Sequence, residues 1–185
     1  MEYKEKTGAI KYAITGGPGC GKSSLIDELY KRGHYVVEEA AEPIIKEQMA
    51  IDGPNLPWKN RQAFQNAVLE MQKEMEAKIP EYGTAFLDRG ANDGLAYLWL
   101  DSIEPPQEFC TGIKAHSYDK IFMLEELPAS VYENTDYRKE DPETARKISA
   151  LIHQAYTNAG YEVVMVPFMT VAKRAEYILR EANAA

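Results

Sequence analysis

Cysteine is scarce: Cys20 and Cys110 are the two in 185 residues, too few for a disulfide framework, so the expected setting is a reducing one. Basic charge is in short supply as well. Lysine and arginine total 21 against 29 acids, a net charge of −8, which disfavours a grip on a nucleic-acid backbone and favours solubility. No apolar run approaches the ~18 residues of a membrane span, and no basic-then-apolar leader opens the sequence. The expectation is a soluble, cytoplasmic protein. His34, His116 and His153 are the three histidines, and their spacing matches no metal site. Repeats and low-complexity tracts are absent, and the stretch IDGPNLPW (51–58) reads as a loop between helices. A single domain over 1–185 is expected.

What is present is a recurring pattern of short β-rich runs: Tyr12 to Thr15, Tyr35 to Val37, Ala85 to Leu87, Ile121 to Leu124 and Tyr161 to Pro167. They are mostly apolar rather than alternating, as in strands covered on both faces. Helical patterns lie between them. Ser23 to Lys31 carries Leu25, Ile26 and Leu29 on one face, and Phe64, Val68, Met71, Met75 and Ile79 recur at helical spacing. Further helices are expected over Gly94 to Leu100, Pro142 to Asn158 and Thr170 to Arg180. Strands alternating with helices predict an α/β, doubly wound, largely parallel sheet, whose ligands sit beyond the carboxyl ends of the strands.

Directly after the first run comes Gly16-Gly17-Pro18-Gly19-Cys20-Gly21-Lys22-Ser23, followed by Ser24 and a helix. This is G-x-x-x-x-G-K-[ST], the P-loop, between a strand and a helix as it must be. Glycines let successive N–H groups turn inward as an anion nest, and the helix N-terminus adds partial positive charge. Lys22 is expected to neutralise the β and γ phosphates of ATP and Ser23 to ligate Mg²⁺.

Two acidic stretches follow the second and third runs: Glu38-Glu39-Ala-Ala-Glu42 and Asp88-Arg89-Gly-Ala-Asn-Asp93. An acid ending a buried strand is expensive unless it serves a metal, a proton or a cation. Asp88 is therefore the metal or base candidate, Arg89 the phosphate or charge-stabilising partner, and Glu39 a second functional acid. A polar stretch, Tyr132 to Pro142 within a segment of about 128–147, suits a lid, with Arg138 as first choice and Arg146 as second for an arginine delivered on closure.

In this order GGPGCGKSS, VVEEAAEPI, FLDRGANDGLAY and GYEVVMVP resemble a small AAA-type P-loop NTPase family, related to the kinase domain of bifunctional nicotinamide riboside kinase and NMN adenylyltransferase proteins. More distantly, DRGANDGLAY is similar to the Asp-Arg segment of thymidylate kinases and the Glu-Arg-Ser segment of deoxynucleoside kinases. The resemblance runs from about Ala9 to Arg180. It implies a three-layer P-loop fold with sheet order 2-3-1-4-5, Lys22 and Ser23 on the triphosphate and Mg²⁺, Glu39 near an acceptor, and Asp88 with Arg89 as the Asp-Arg pair. Gly90 departs from the bulky or polar residue of thymidylate kinases, and the lid carries scattered arginines rather than a dense cluster.

The expected activity is transfer of the γ-phosphate of Mg-ATP to a small-molecule acceptor, nucleoside- or nucleotide-like. The alternative is a GTP- or ATP-binding switch or NTPase with protein or membrane partners, against which the guanine-reading Asn-Lys-x-Asp motif is missing. Nothing in the sequence specifies an oligomer.

Overall fold

The computed structural model describes residues 8–127 and 141–183. Five strands alternate with helices along the chain: β1 (Ile10–Thr15), α1 (Lys22–Lys31), β2 (Tyr35–Val37), α2 (Ala41–Ala50), α3 (Arg61–Glu76), β3 (Thr84–Asp88), α4 (Asp93–Leu100), α5 (Gln107–Lys114), β4 (Lys120–Leu124), α6 (Pro142–Asn158), β5 (Val163–Val166) and α7 (Val171–Asn183). The strands form one sheet in the order β2-β3-β1-β4-β5, and every pairing is parallel. The topology thus matches the expected doubly wound α/β class, with β1 central.

Side-chain parity within each strand builds the two cores. Tyr12, Ile14, Phe86, Phe122 and Leu124 point to one face and pack with Leu25 and Leu29 of α1 and Ala175 and Ile178 of α7. Ala13, Ala85, Leu87, Ile121 and Met123 point to the other, against Ala96 of α4 and Ile148, Ile152 and Tyr156 of α6. Both faces of the sheet are covered, which is why these strands read as unbroken apolar runs. A satellite cluster of Leu69, Leu98, Phe109 and Ile113 joins α3, α4 and α5.

Helix α6 has the predicted bounds, because Asp141 caps it by accepting from the backbone N–H groups of Glu143 and Thr144 at 2.9 and 3.0 Å, with Pro142 in its first turn. Helix α3 stops short of Ile79, which was expected within it; Pro80 follows directly and disfavours helical geometry at the residue before it. Helices α2 and α5, ten and eight residues long, are not among the expected helices. Each is placed by one or two anchors: Ile44 in α2, and Phe109 with Ile113, one turn apart, in α5. The expected lid lies mostly outside the described residues, Arg138 included; its end, from Asp141 onward, is the cap and first turn of α6, where Arg146 is exposed. Among the described residues no helix is long and apolar enough to cross a membrane.

Candidate active site

The glycine-rich loop begins where β1 leaves the sheet. Gly16, Gly19 and Gly21 have φ of 141°, 72° and 86°, values that L side chains rarely adopt. The loop is also tight: a Cβ at Gly16 would come within 2.9 Å of the Leu124 carbonyl, and one at Gly17 would lie 3.0 Å from the Ala145 carbonyl of α6. Lys22 arches back over it, its Nζ donating to the carbonyls of Gly16 and Gly17 at 2.9 and 2.8 Å and reaching Cys20 Sγ at 3.3 Å. Helix α1 starts at Lys22 with no side-chain cap and no acid in its first turn, so its first N–H groups and dipole face the loop without a competing carboxylate. Ser23 and Ser24 are exposed there. The loop thereby fits a polyphosphate: glycines at positive φ, a buried lysine 2% exposed, and a hydroxyl at the helix start.

Asp88, the last residue of β3, pairs across from Ile14 of β1 and is 3% exposed. A hydroxyl at Ser23 and a carboxylate at Asp88 are hard oxygen donors of the kind Mg²⁺ takes. Arg89 follows with φ 74°, an uncommon conformation for a side-chain-bearing residue, and its N–H donates to the Ile14 carbonyl at 2.9 Å. Its guanidinium is buried, donating through Nε to Glu39 Oε1 at 2.7 Å and through one Nη to Asp93 Oδ2 at 2.9 Å, and lying 5.8 Å from the centre of the Tyr97 ring. Burial works against this charge, but Tyr97, Glu39, Asp93 and Asp88 outweigh it and hold the Arg89 pKa well above its ordinary value.

Asp93 is the residue that sequence reasoning passed over. Its carboxylate accepts from Thr15 Oγ1 at 2.9 and 2.8 Å, from Tyr156 Oη at 2.8 Å and from Arg89. Burial, with Asp93 beside it, raises the Tyr156 pKa far above the usual value, so the phenol stays a donor. One chain of hydrogen bonds therefore runs from the end of the P-loop strand through Asp93 and Arg89 to Glu39. Gly90 is explained by the same cluster, since a Cβ there would meet Tyr156 Oη at 2.6 Å and the Tyr118 ring at 2.9 Å.

Beside the loop lies a pocket with about 850 Å³ of space, open at its mouth to solvent. Pro18 of the P-loop forms one wall, and Glu39 and Arg89 form a polar end. Phe64, Val68 and Phe109 supply an apolar side, and Gln65 and Gln72 of α3 line it too. Gln72 donates to Glu76 at 3.1 Å, whereas the side chain of Gln65, a residue 5% exposed, makes no hydrogen bond among the described residues. Of the predicted site residues Pro18, Glu39 and Arg89 line this pocket, while Lys22, Ser23 and the loop glycines do not, and Asp88 ends the strand that Arg89 follows. Glu38 and Glu42 are exposed, and Glu42 pairs with Lys46 one turn on. The sequence signal for Asp93 was its place five residues after Asp88, in the first turn of α4.

The chain's relationships agree with this geometry. A sequence model of the AAA domain family matches residues 11–174, and the chain belongs to that family. No curated protein gives a significant match. Among solved structures, NadR in complex with NAD and AMP-PNP superposes with a TM-score of 0.69 at 17% identity over 96% of this chain and 50% of that one. Thymidylate kinase from Ehrlichia chaffeensis gives 0.65 at 11% identity, covering 95% of this chain and 99% of that one. Deoxyadenosine kinase from M. mycoides gives 0.62 at 16% identity, covering 95% and 100%. The chain spans half the length of the NadR protein it matches. The likeness shows the α/β fold of the P-loop nucleoside and nucleotide kinases.

Proposed function

We propose that this AAA-domain chain is a single-domain, ATP-dependent phosphotransferase that moves the γ-phosphate of Mg-ATP to a hydroxyl of a small, nucleoside-like acceptor. The observation that carries the reading is the Glu39–Arg89 pair, closed at 2.7 Å, at the polar end of a pocket whose wall includes Pro18 of the P-loop. A base and a cation thus share a cavity that Pro18 of the P-loop borders. The pocket's other end is apolar and aromatic with a buried amide, Gln65, at its side. That combination suits a flat, partly apolar acceptor with a hydrogen-bonding edge.

In this reading the P-loop amides and Lys22 hold the triphosphate. Ser23 and Asp88 would hold Mg²⁺, which when bound supplies neutralisation of phosphate charge. Glu39, oriented by Arg89 through Oε1, accepts the proton of the acceptor hydroxyl as its oxygen forms a bond to phosphorus and the bond to the leaving ADP oxygen breaks. The Arg89 guanidinium, fixed between Glu39 and Asp93, offers positive charge beside the transferring group without reorganising.

The test follows labelled γ-phosphate from Mg-ATP in the presence of pooled nucleosides, nucleotides and small metabolites. Label should enter an organic product, Lys22→Met should weaken ATP far more than adenosine, and Glu39→Gln should lower kcat by roughly 10²-fold or more with ATP affinity little changed. Label appearing solely as inorganic phosphate, at equal rates in wild type and Glu39→Gln, would replace this reading with a nucleotide-binding switch.

A further inference from the structure

Arg174, in the first turn of α7, is far from the acceptor pocket in sequence and in role, yet it is only 2% exposed. Its guanidinium donates to three backbone carbonyls: Cys20 at 2.6 Å, Glu125 at 3.0 Å and Pro167 at 3.2 Å. These carbonyls follow the carboxyl ends of β1, β4 and β5, so one side chain ties together three of the loops at the ligand end of the sheet. The Phe168 ring lies 5.7 Å from the guanidinium carbon. Among the described residues no carboxylate stands within ion-pair distance of it.

In a planar trans peptide, the carbonyl of one residue and the N–H of the next point in opposite directions. Fixing the Cys20 carbonyl towards Arg174 therefore fixes the Gly21 N–H away from it. Gly21, at φ 86°, is the left-handed turn that ends the loop, and a Cβ there would lie 3.5 Å from an Arg174 Nη. Lys22 does the corresponding task at the other end of the loop by holding the Gly16 carbonyl, which fixes the Gly17 N–H; the Gly17 carbonyl that it also holds precedes Pro18, which has no N–H.

We propose that Arg174 is a positioning residue of the phosphate-binding loop, locking the Cys20–Gly21 peptide so that the Gly21 N–H faces a bound polyphosphate. The proposal rests on the nucleotide-binding reading given above. A planar fork spanning three acceptors is a task that lysine cannot reproduce.

The test compares wild type, Arg174→Met and Arg174→Lys, each first checked for cooperative melting. Calorimetry measures Mg-ATP, Mg-ADP and adenosine, and backbone N–H order parameters are measured residue by residue in the free protein. For Arg174→Met, the affinities for Mg-ATP and Mg-ADP should fall about tenfold or more, the scale of one oriented hydrogen bond to an anion, with adenosine unchanged. The Gly21 order parameter should fall while that of Gly17, whose peptide carbonyl is held by Lys22, stays as in wild type. Arg174→Lys should fall between the two and decides the matter if the Met variant does not fold. An unchanged Gly21 order parameter in a folded variant, or equal loss of Mg-ATP and adenosine, would overturn the proposal. If wild type binds no nucleotide, the phosphotransferase reading fails on its own, and the Gly21 order parameter in the free proteins still decides the role of Arg174.

Discussion

Replacing Arg89 with Met removes the one guanidinium that touches both Glu39 and Asp93, and its cost follows from what is left behind. The side chains of Glu39 and Asp93 are 11% and 6% exposed, so two carboxylates would remain buried without their shared cation. Breaking a buried pair in this way typically costs about 3–5 kcal/mol. An upper bound comes from the alternative of taking up a proton, about 4 kcal/mol for an ordinary carboxylate at neutral pH. Asp93 keeps its bonds from Thr15 and Tyr156, which pulls the sum down. A loss of about 3 kcal/mol is expected, or roughly a 6–12 °C fall in Tm for a chain of this size.

The sign with pH is fixed by the same reasoning. Protonation relieves the stranded carboxylates, so the gap between wild type and Arg89→Met should narrow as the solution is acidified. Urea melts of Arg89→Met, Glu39→Gln and the double variant form a cycle whose coupling should be about 1–3 kcal/mol, with the double variant more stable than Arg89→Met alone. Arg89→Lys should recover charge without the fork and restore stability only in part. If Arg89→Met melts within about 0.5 kcal/mol of wild type, or the cycle is additive, the buried network is not coupled as described.

Two further perturbations test the scaffold behind the site. Gly90→Ala places a methyl 2.6 Å from Tyr156 Oη and should cost about 1–3 kcal/mol by overpacking; a cost no smaller in a Tyr156→Phe background would refute the clash. Glu76, with its side chain 6% exposed, has its pKa moved from 4.5 to about 2: burial pushes it up, but hydrogen bonds from His116 and Lys11 outweigh that. Its folded pKa is the lower one, so its contribution is complete above 4.5 and is lost as pH falls through about 2. That contribution is about 3 kcal/mol, so stability curves of wild type and Glu76→Gln against pH should converge on acidification, and parallel curves would exclude it.

The strands, the P-loop and the placement of Asp88 and Arg89 at a strand end were legible because each rests on neighbours in sequence. An apolar run, a glycine spacing and an acid after a run are local signals. The reason for Gly90 was not, because the atoms that exclude a side chain belong to Tyr118 and Tyr156, brought in by a loop and a helix much later in the chain. Arg174 was hidden for a similar reason: an arginine on an amphipathic terminal helix ordinarily reads as solvent-facing, and its acceptors are backbone carbonyls that leave no trace in residue type. Gln65 belongs to the same class, a polar residue on the buried side of α3 whose meaning depends on a pocket made by other elements. Helices α2 and α5, at ten and eight residues, are shorter than the window of about 11–18 residues over which periodicity is read.

Asp93 shows how the local and the distant meet. Along β1 the side chains alternate, Tyr12 and Ile14 towards α1 and α7, and Ala13 towards α4 and α6. Thr15 keeps the parity of Ala13 and so turns its hydroxyl to the face where α4 supplies Asp93 and α6 supplies Tyr156. The next residue, Gly16, already belongs to the phosphate loop. The last side chain of the central strand is thus both the foot of the loop and a donor to the carboxylate that holds Arg89. A shift of one residue in β1 that put Ile14 in the place of Thr15 would present an apolar side chain to Asp93 and turn the Thr15 hydroxyl to the opposite face. The register that closes the hydrophobic cores is therefore the same register that joins the glycine-rich loop to the pocket beside it.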